Sequence, residues 1–161
     1  MAGGLLYRLF GAGKMPGAIR AEFAGEQVLF ETEGIRAVQT FSGHVPGLTS
    51  GGSKQLYLGA FVVTDRRVIG ATRAGKAVDV AYDMQADGPA TLSLEPDGLH
   101  VVWDMDRVHP ACRGTMKLHF KGAISDTDLA RFPVREITFQ VDPAEVVRFT
   151  GSRKKLPTAD G

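Results

Sequence analysis

The chain has little of what a disulfide-rich, membrane-spanning or strongly charged protein needs. Its 161 residues include one cysteine, which cannot form an intramolecular disulfide, and the formal net charge is only +1. No apolar run approaches the roughly 18 residues of a membrane span. Because the chain is nearly neutral, it has no bulk field to attract nucleic acid or anionic lipid, and either partner would need a local patch.

Aromatic residues are also few, at 8% of the chain, and the single tryptophan, Trp103, is followed by Asp104 and Asp106. Basic and aromatic residues do not alternate, so nucleic-acid binding is not expected. The apolar run at 5–10 is short, contains Arg8 and has no basic leader of the kind that signal peptides carry. We therefore expect a cytoplasmic protein and leave open a peripheral position at the membrane.

What is present is the composition of one ordinary globular domain, with 43% hydrophobic and 23% charged residues. Near the start, Leu5, Leu6, Leu9 and Phe10 predict one helix, and Ile19 and Phe23, four residues apart, predict a second that ends at Gly25. Strand patterns begin after it. We expect a helical segment at 1–25, a β-barrel domain at 26–150 and a flexible tail at 151–161.

Short β-rich runs separated by tight turns predict antiparallel strands through the middle of the chain. The strand Gln55–Val63 has apolar residues on both of its faces, which is typical of a strand at the centre of a sheet. The glycine-rich interval Ser42–Ser53 predicts a long exposed loop, and Asp65 is expected to close the turn before Arg67 by accepting backbone hydrogen bonds. The predicted strands of this part are 27–33, 35–41 (joined at Gly34), 55–63, 67–72 and 76–82.

A polar break at 87–89 is expected to separate this sheet from a second one. Ser125 and Asp142 are predicted N-caps of two late helices. The later strands are predicted at 91–95, 99–103, 113–120 and 136–141. Together these elements predict a mainly β fold, a small split barrel or sandwich of antiparallel strands with a C-terminal helix plugging an open end.

The segment Phe61-Val-Val-Thr-Asp-Arg-Arg-Val-Ile69 resembles the strand and turn of bacterial pleckstrin-homology-like and GRAM-like domains. The Gly25–Leu29 opening, the Val78–Val80 strand and the final strand plus helix follow in the same order. The resemblance covers about residues 22–150 and implies a pleckstrin-homology-like barrel that acts as a binding module without an active site. Its implied ligand is a phosphoinositide, another protein or unknown.

Gly70–Lys76 matches the first seven positions of a phosphate-binding loop, but Ala77 replaces the hydroxyl that would ligate Mg²⁺. The residues after Lys76 favour a strand, whereas phosphate binding needs a helix N-terminus. A hairpin turn is therefore the favoured interpretation.

Histidine and cysteine supply zinc-ligand types at His109, Cys112, His100 and His119. The histidines would approach each other if 99–103 and 113–120 were neighbouring strands. Only one pair has tight spacing, so we expect ordinary histidines, with no metal and no cofactor. A nucleophilic set of Cys112, His109 and Asp106 is disfavoured because a lone cysteine without an activating base is usually inert.

The candidate binding residues are the cations of the hairpin ends, Arg66, Arg73 and Lys76, together with Lys54 in the neighbouring loop. Solvated turn residues are the ordinary alternative, and the interleaved Asp79 would reduce a positive potential. We expect a non-enzymatic binding or scaffolding module that recognises a protein or an anionic head group at these ends. A small-ligand carrier that uses the barrel interior is the alternative, an enzyme the third choice, and the N-terminal apolar face would suit a homodimer or a membrane surface.

Overall fold

The computed structural model describes residues 13–157, and the helix expected at 5–10 lies outside them. Within this range the fold is mainly β, as predicted, with one antiparallel sheet in the order β4-β3-β2-β1-β7-β6-β5-β8. The strands are β1 (Val28–Val45), β2 (Leu48–Thr64), β3 (Arg67–Thr72), β4 (Gly75–Ala81), β5 (Ala90–Glu95), β6 (Gly98–Asp104), β7 (Arg113–Lys121) and β8 (Glu136–Phe139). The helices are α1 (Gly17–Glu22), α2 (Met105–Val108), α3 (Asp126–Arg131) and α4 (Pro143–Phe149), with a 3-10 turn at Tyr82–Met84.

The sheet is continuous, so the expected separation into two sheets is wrong. β1 pairs with β2 along one side and with β7 along the other, from Arg36 opposite Lys121 to His44 opposite Arg113. This shared long strand joins the first four strands to the last four. Because the sheet curls on itself as a half-barrel, the expected split barrel is confirmed.

A glycine accounts for the wrong prediction of two strands where β1 is a single one. Gly34 has φ +68°, the left-handed region that favours glycine, and the register with β2 shifts between Thr32 and Ile35. Its N–H donates to the Gly13 carbonyl at 2.9 Å. Gly34 therefore marks a bulge inside one strand rather than a turn between two.

The loop expected at 42–53 is also wrong, because these residues continue the β1–β2 hairpin. The turn of this hairpin is Pro46–Gly47, and the pair next to the turn is Val45 opposite Leu48. Gly43 lies opposite Gly114 of β7, and a Cβ on Gly43 would lie 2.0 Å from the Arg113 carbonyl oxygen. In this strand, glycine permits the close approach of two backbones, so its presence does not signal a loop.

Apolar side chains fill the concave side of the sheet, where Phe61 and Phe120 are fully buried and meet edge to face at 6.2 Å. On the convex side, α1 covers β2 and β3 through Ile19 and Phe23, which confirms the second predicted N-terminal helix. The remaining convex side, over β1, β7 and β6, has no helix on it among the described residues. The two faces of the half-barrel therefore differ in what they offer to a ligand.

Capping residues place the late helices as predicted. Ser125 accepts from the Asp128 N–H at the start of α3, and Asp142 accepts from the Ala144 N–H at the start of α4. α4 buries Val146 and Val147 at the end of the half-barrel. Beyond it, the Ser152 hydroxyl donates to the Pro46 carbonyl, so the chain after α4 contacts the β1–β2 turn.

Thr64, not Asp65, closes the turn between β2 and β3. Its hydroxyl oxygen accepts from the N–H groups of Arg66 and Arg67 at 3.1 and 3.0 Å. Asp65 instead accepts from the Gln27 N–H and so holds the start of β1 against the turn. The predicted turn exists, but a threonine at its first position makes the local bonds that were assigned to the aspartate.

Candidate ligand-binding cleft

Of the four predicted cationic residues, the structure brings only Arg73 and Lys76 to the same hairpin end. Arg66 precedes β3 and Arg73 follows it, so a six-residue strand of about 20 Å separates them. Lys54 lies on β2 opposite Thr40, five residues beyond the last β2 residue that pairs with β3. The expected ring of hairpin ends is therefore not a single surface.

Lys76 lies near Arg73, but its charge is already neutralised within the fold. Its ammonium donates to Glu22 at 2.7 Å and to Asp79 at 2.9 Å. The hydrogen bond to Glu22, and then the one to Asp79, raises the pKa of Lys76. A group that is held by two carboxylates has little left to offer an anionic ligand.

A second ion pair, between Arg67 and Glu26, connects the segment after α1 to the β2–β3 turn. Arg67 binds the Glu26 carboxylate, with Nη2 and Oε2 2.6 Å apart, and also donates to the Glu22 carbonyl. The Glu26 side chain is only 9% exposed. The hydrogen bond from Arg67 lowers the pKa of Glu26. These contacts are structural, because they attach the segment before β1 to the sheet.

A cleft of about 890 Å³ lies between β4 and α4. β4 forms one wall, and the segment from Phe139 through α4 forms the other. The cleft exists because the two end strands of the curled sheet, β4 and β8, do not pair with each other. Its volume lies within the range of ligand sites in proteins.

Apolar side chains form the floor of the cleft, and charges of both signs line its rim. Trp103 and Phe149 have ring centroids 5.7 Å apart at the floor, and Trp103 is 5% exposed. The Gln39 amide donates to the Phe149 carbonyl at 2.7 Å and fixes the end of α4. The other apolar lining residues are Ala77, Val78, Val80, Met84, Met116, Phe139, Val141 and Val146, and the charged ones are Lys76, Asp79, Asp142, Glu145 and Arg148.

The two end strands of the sheet differ in how their outer edges are treated. The edge of β8 is covered, because Ala86 N–H donates to the Thr138 carbonyl and Thr138 N–H donates to the Gln85 side chain. Among residues 13–157, no hydrogen bond engages the outer edge of β4, which pairs only with β3. The unpaired backbone groups of β4 therefore border the cleft.

Two of the constellations considered from the sequence are structural. Gly70–Lys76 is the end of β3, a turn with Gly75 at φ +120° and the start of β4, so the hairpin is confirmed. Cys112 is fully buried, and burial raises the pKa of its thiol, the opposite of activation. His109 and Asp106 accept from the N–H groups of Ala111 and Gly114 respectively.

The sequence analysis expected the histidines to approach each other if 99–103 and 113–120 were neighbouring strands, and the structure brings two of them together. His100 and His119 meet because β6 and β7 are neighbours, whereas His109 and Cys112 lie in the segment before β7 and do not join them. The carboxylates beside this histidine pair belong to the β5–β6 hairpin and were missed. A signal for them existed, since a turn at 96–98 places its flanking acids beside the start of β6.

The cleft residues were missed because they come from separate parts of the chain. Trp103, α4 and β4 meet only after the sheet has curled, and no local pattern marks them as a site. Comparison with protein-family models, curated proteins and solved structures finds no match. Within residues 13–157, no helix combines the length and apolar character needed to cross a membrane. The pleckstrin-homology-like assignment stays a prediction.

Proposed function

We propose that the chain is a non-enzymatic binding module, of the pleckstrin-homology-like type that its sequence resembles, and that it binds an extended peptide segment of a protein partner. The segment lies in the cleft and adds a strand to β4. The observation that carries this proposal is the unpaired edge of β4 beside an apolar cleft. Strand addition draws affinity from backbone hydrogen bonds and specificity from side-chain pockets.

The geometry of the cleft suits a strand in two respects. Val78 and Val80 of β4 face the concave side, so alternate side chains of an added strand would turn toward Trp103 and Phe149. Other alternate side chains would lie beside Asp79, on the opposite face of β4. Since the rim carries both charge signs, we expect a peptide with apolar residues at alternate positions and no strong net charge.

A bulge limits where the strand can pair. The register of β3 with β4 shifts between Gly70 and Ala71, so Ala77 is the extra residue. The part of β4 with regular strand geometry is Val78–Ala81, which is four residues long. We therefore expect a short added strand rather than one that runs the whole length of β4.

Trp103 is the only tryptophan in the chain, so its fluorescence reports on the cleft. The experiment selects binders from a displayed library of random heptapeptides and titrates the full chain with the synthetic form of a selected peptide. We expect a change in Trp103 emission on binding. Met84→Arg, which places a charge at the cleft mouth, should weaken binding at least tenfold.

Val28→Arg is the matched control, because Val28 and Met84 are both 42% exposed and only Met84 lines the cleft. This variant should bind as the unmodified chain does. The proposal is wrong if the library yields no binder, or if both variants weaken binding equally.

N-methylation of alternate peptide amides separates strand addition from simple burial in an apolar site. Methylation removes the donors that would pair with β4, so affinity should fall strongly if a strand is added. Unchanged affinity, together with binding of 1-anilinonaphthalene-8-sulfonate that is sensitive to Met84→Arg, would favour the small-ligand carrier. Binding to anionic vesicles that depends on Lys54 would favour the head-group alternative.

A further inference from the structure

Two histidines meet on the convex side of the sheet, on the opposite face from the cleft. His100 of β6 lies directly opposite His119 of β7 in the register. Their rings stack with centroids 3.9 Å apart and planes inclined by 18°. Their side chains are 26% and 22% exposed, so both are half-buried and held by neighbours on the sheet.

The β5–β6 turn places carboxylates against this pair. Asp97 Oδ1 lies 2.7 Å from His100 Nε2, and Glu95 Oε2 lies 3.0 Å from the same nitrogen. Asp97 Oδ2 is 3.7 Å from His119 Nε2, and the Asp97 carbonyl oxygen is 3.1 Å from it. The Nε2 atoms of both rings therefore face the same carboxylate.

Backbone geometry keeps the turn close to the histidines. Gly98 has φ +131°, and a Cβ at this position would lie 2.0 Å from the Phe120 carbonyl oxygen on β7. No other residue fits there without moving the strands apart. The hairpin that carries Asp97 is thus packed directly on β7, which keeps the Asp97 backbone beside His119.

We propose that Asp97, His100 and His119 form a binding site for a divalent transition-metal ion such as Zn²⁺. One ligand atom from each of Asp97, His100 and His119 lies within 4.8 Å of the other two. Tetrahedral zinc with bonds of about 2.0–2.1 Å places neighbouring ligand atoms about 3.3 Å apart. The histidine–carboxylate separations of 2.7 to 3.7 Å lie on both sides of this value. Because the two rings are stacked and each Nε2 lone pair lies in its ring plane, binding requires the rings to turn so that both Nε2 atoms point at one ion.

The ligand chemistry selects the class of ion. Imidazole nitrogen suits zinc, copper and nickel, whereas magnesium and calcium prefer oxygen ligands throughout. A neutral imidazole that binds an ion through Nε2 carries its one proton on Nδ1, so each ring would bind as the Nδ1–H tautomer with its Nε2 lone pair directed at the ion.

Charged residues near the histidine pair limit the affinity of the site for a metal ion. Lys117 and Lys121 lie on the same face of β7 as His119 and oppose a cation, whereas Asp97 and Glu95 together supply two negative charges. Both carboxylates are more than half exposed, at 64% and 52%. We expect a surface site that connects the β5–β6 hairpin to β7, with modest affinity and no part in peptide binding.

The test titrates the full chain with ZnCl₂ by calorimetry and with CoCl₂ by visible absorption, which reports tetrahedral nitrogen and oxygen coordination. One ion should bind per chain, and zinc should raise the melting temperature. His119→Ala and Asp97→Asn should each abolish the cobalt bands. His44→Ala is the matched control, because His44 is exposed, forms a hydrogen bond with Thr49 and does not belong to the cluster of Asp97, His100 and His119.

Absence of binding to the unmodified chain would overturn the proposal, as would equal loss of binding in His44→Ala. MgCl₂ that competes equally with zinc would also overturn it, since that result indicates carboxylates acting without the histidines. Near-ultraviolet circular dichroism of each variant separates a lost ligand from a lost fold. Trp103 fluorescence with the selected peptide should be the same with and without zinc, so failure of the metal site leaves the cleft proposal unaffected.

Discussion

Several residues in this chain have structural roles that depend on close contacts and that cannot be predicted from the neighbouring sequence. The Phe120 ring lies over two glycines of neighbouring strands, Gly59 and Gly70, and fills space that their missing side chains leave. Thr64 takes a turn role that the adjacent Asp65 was expected to fill. At this scale, position within the packed fold decides what a side chain does.

Gly70→Ala should destabilise the chain by about 1–3 kcal/mol through overpacking. A Cβ at Gly70 would lie 2.8 Å from the Phe120 ring and 2.9 Å from Val78, and Phe120 is fully buried with no space to retreat. Denaturant unfolding measures the change. Gly25→Ala is the control, because nothing lies within 4 Å of its added Cβ, and a similar loss there would contradict the packing argument.

Tyr82 should give the fold a pH dependence in the alkaline range. Its hydroxyl donates to the Thr64 carbonyl at 2.6 Å, and burial, with a smaller contribution from Asp65, raises the pKa of Tyr82 from 10.0 to about 12. A pKa raised by folding stabilises the native state below pH 10, and that contribution is lost as the pH rises toward 12.

Phenolate absorbance should therefore show a phase near pH 12 that is missing in Tyr82→Phe. The unfolding free energy should also fall more steeply above pH 10 in the unmodified chain than in this variant. Loss of phenolate absorbance near pH 10 rather than near pH 12 in Tyr82→Phe would show that Tyr82 is not buried as described.

Secondary-structure elements were predicted best where periodicity and turn chemistry agree. The meander from Gln55 to Tyr82 and both helix caps were correct, because tight turns and capping residues act locally. Ser42–Ser53 was wrong because Gly43 lies in β1, which pairs with β2 and β7 on its two sides, and Gly51 lies in β2 opposite Ser42. That pairing is a long-range effect, which explains why glycine content alone misled.

The functional sites were less predictable than the strands for the same reason. His100 and His119 followed from strand adjacency, but Asp97 required the hairpin to fold back over β7. The cleft depends on which sheet edges remain unpaired, and this is a property of the assembled sheet. The sequence also did not indicate that Lys76 is paired, because one of its carboxylate partners, Glu22, lies in α1, far away along the chain.

α4 forms one wall of the cleft, so its stability should affect both folding and binding. Asp142→Ala removes the acceptor for the Ala144 N–H and should cost about 1 kcal/mol. Glu145→Ala is the control in the same helix, because it removes an acid from the first turn without removing the cap, with an expected loss of a few tenths of a kcal/mol.

Thermal unfolding measures both changes, and fluorescence titration with the selected peptide measures their effect on the cleft. We expect weaker peptide binding in Asp142→Ala than in Glu145→Ala. Equal stability of the two variants would indicate that Asp142 does not cap α4.

At the scale of the whole molecule, one curled sheet presents two different surfaces. In the described part of the chain, the concave side is filled by the core and opens between β4 and α4, whereas the convex side carries the histidine pair and is covered by α1 over β2 and β3. One end strand, β8, is covered by residues 85 and 86, whereas β4 has no such cover among residues 13–157. This asymmetry is the basis of the proposal that β4 accepts an added strand.

Amide hydrogen exchange of the full chain, followed by NMR with and without the selected peptide, tests the open edge of β4 most directly. Within Val78–Ala81, the amides that point away from β3 should exchange rapidly in the free protein and at least tenfold more slowly with peptide bound. Amides of β6 and β7 should not change. Slow exchange at β4 in the free protein, or peptide protection confined to β6 and β7, would contradict strand addition at this edge.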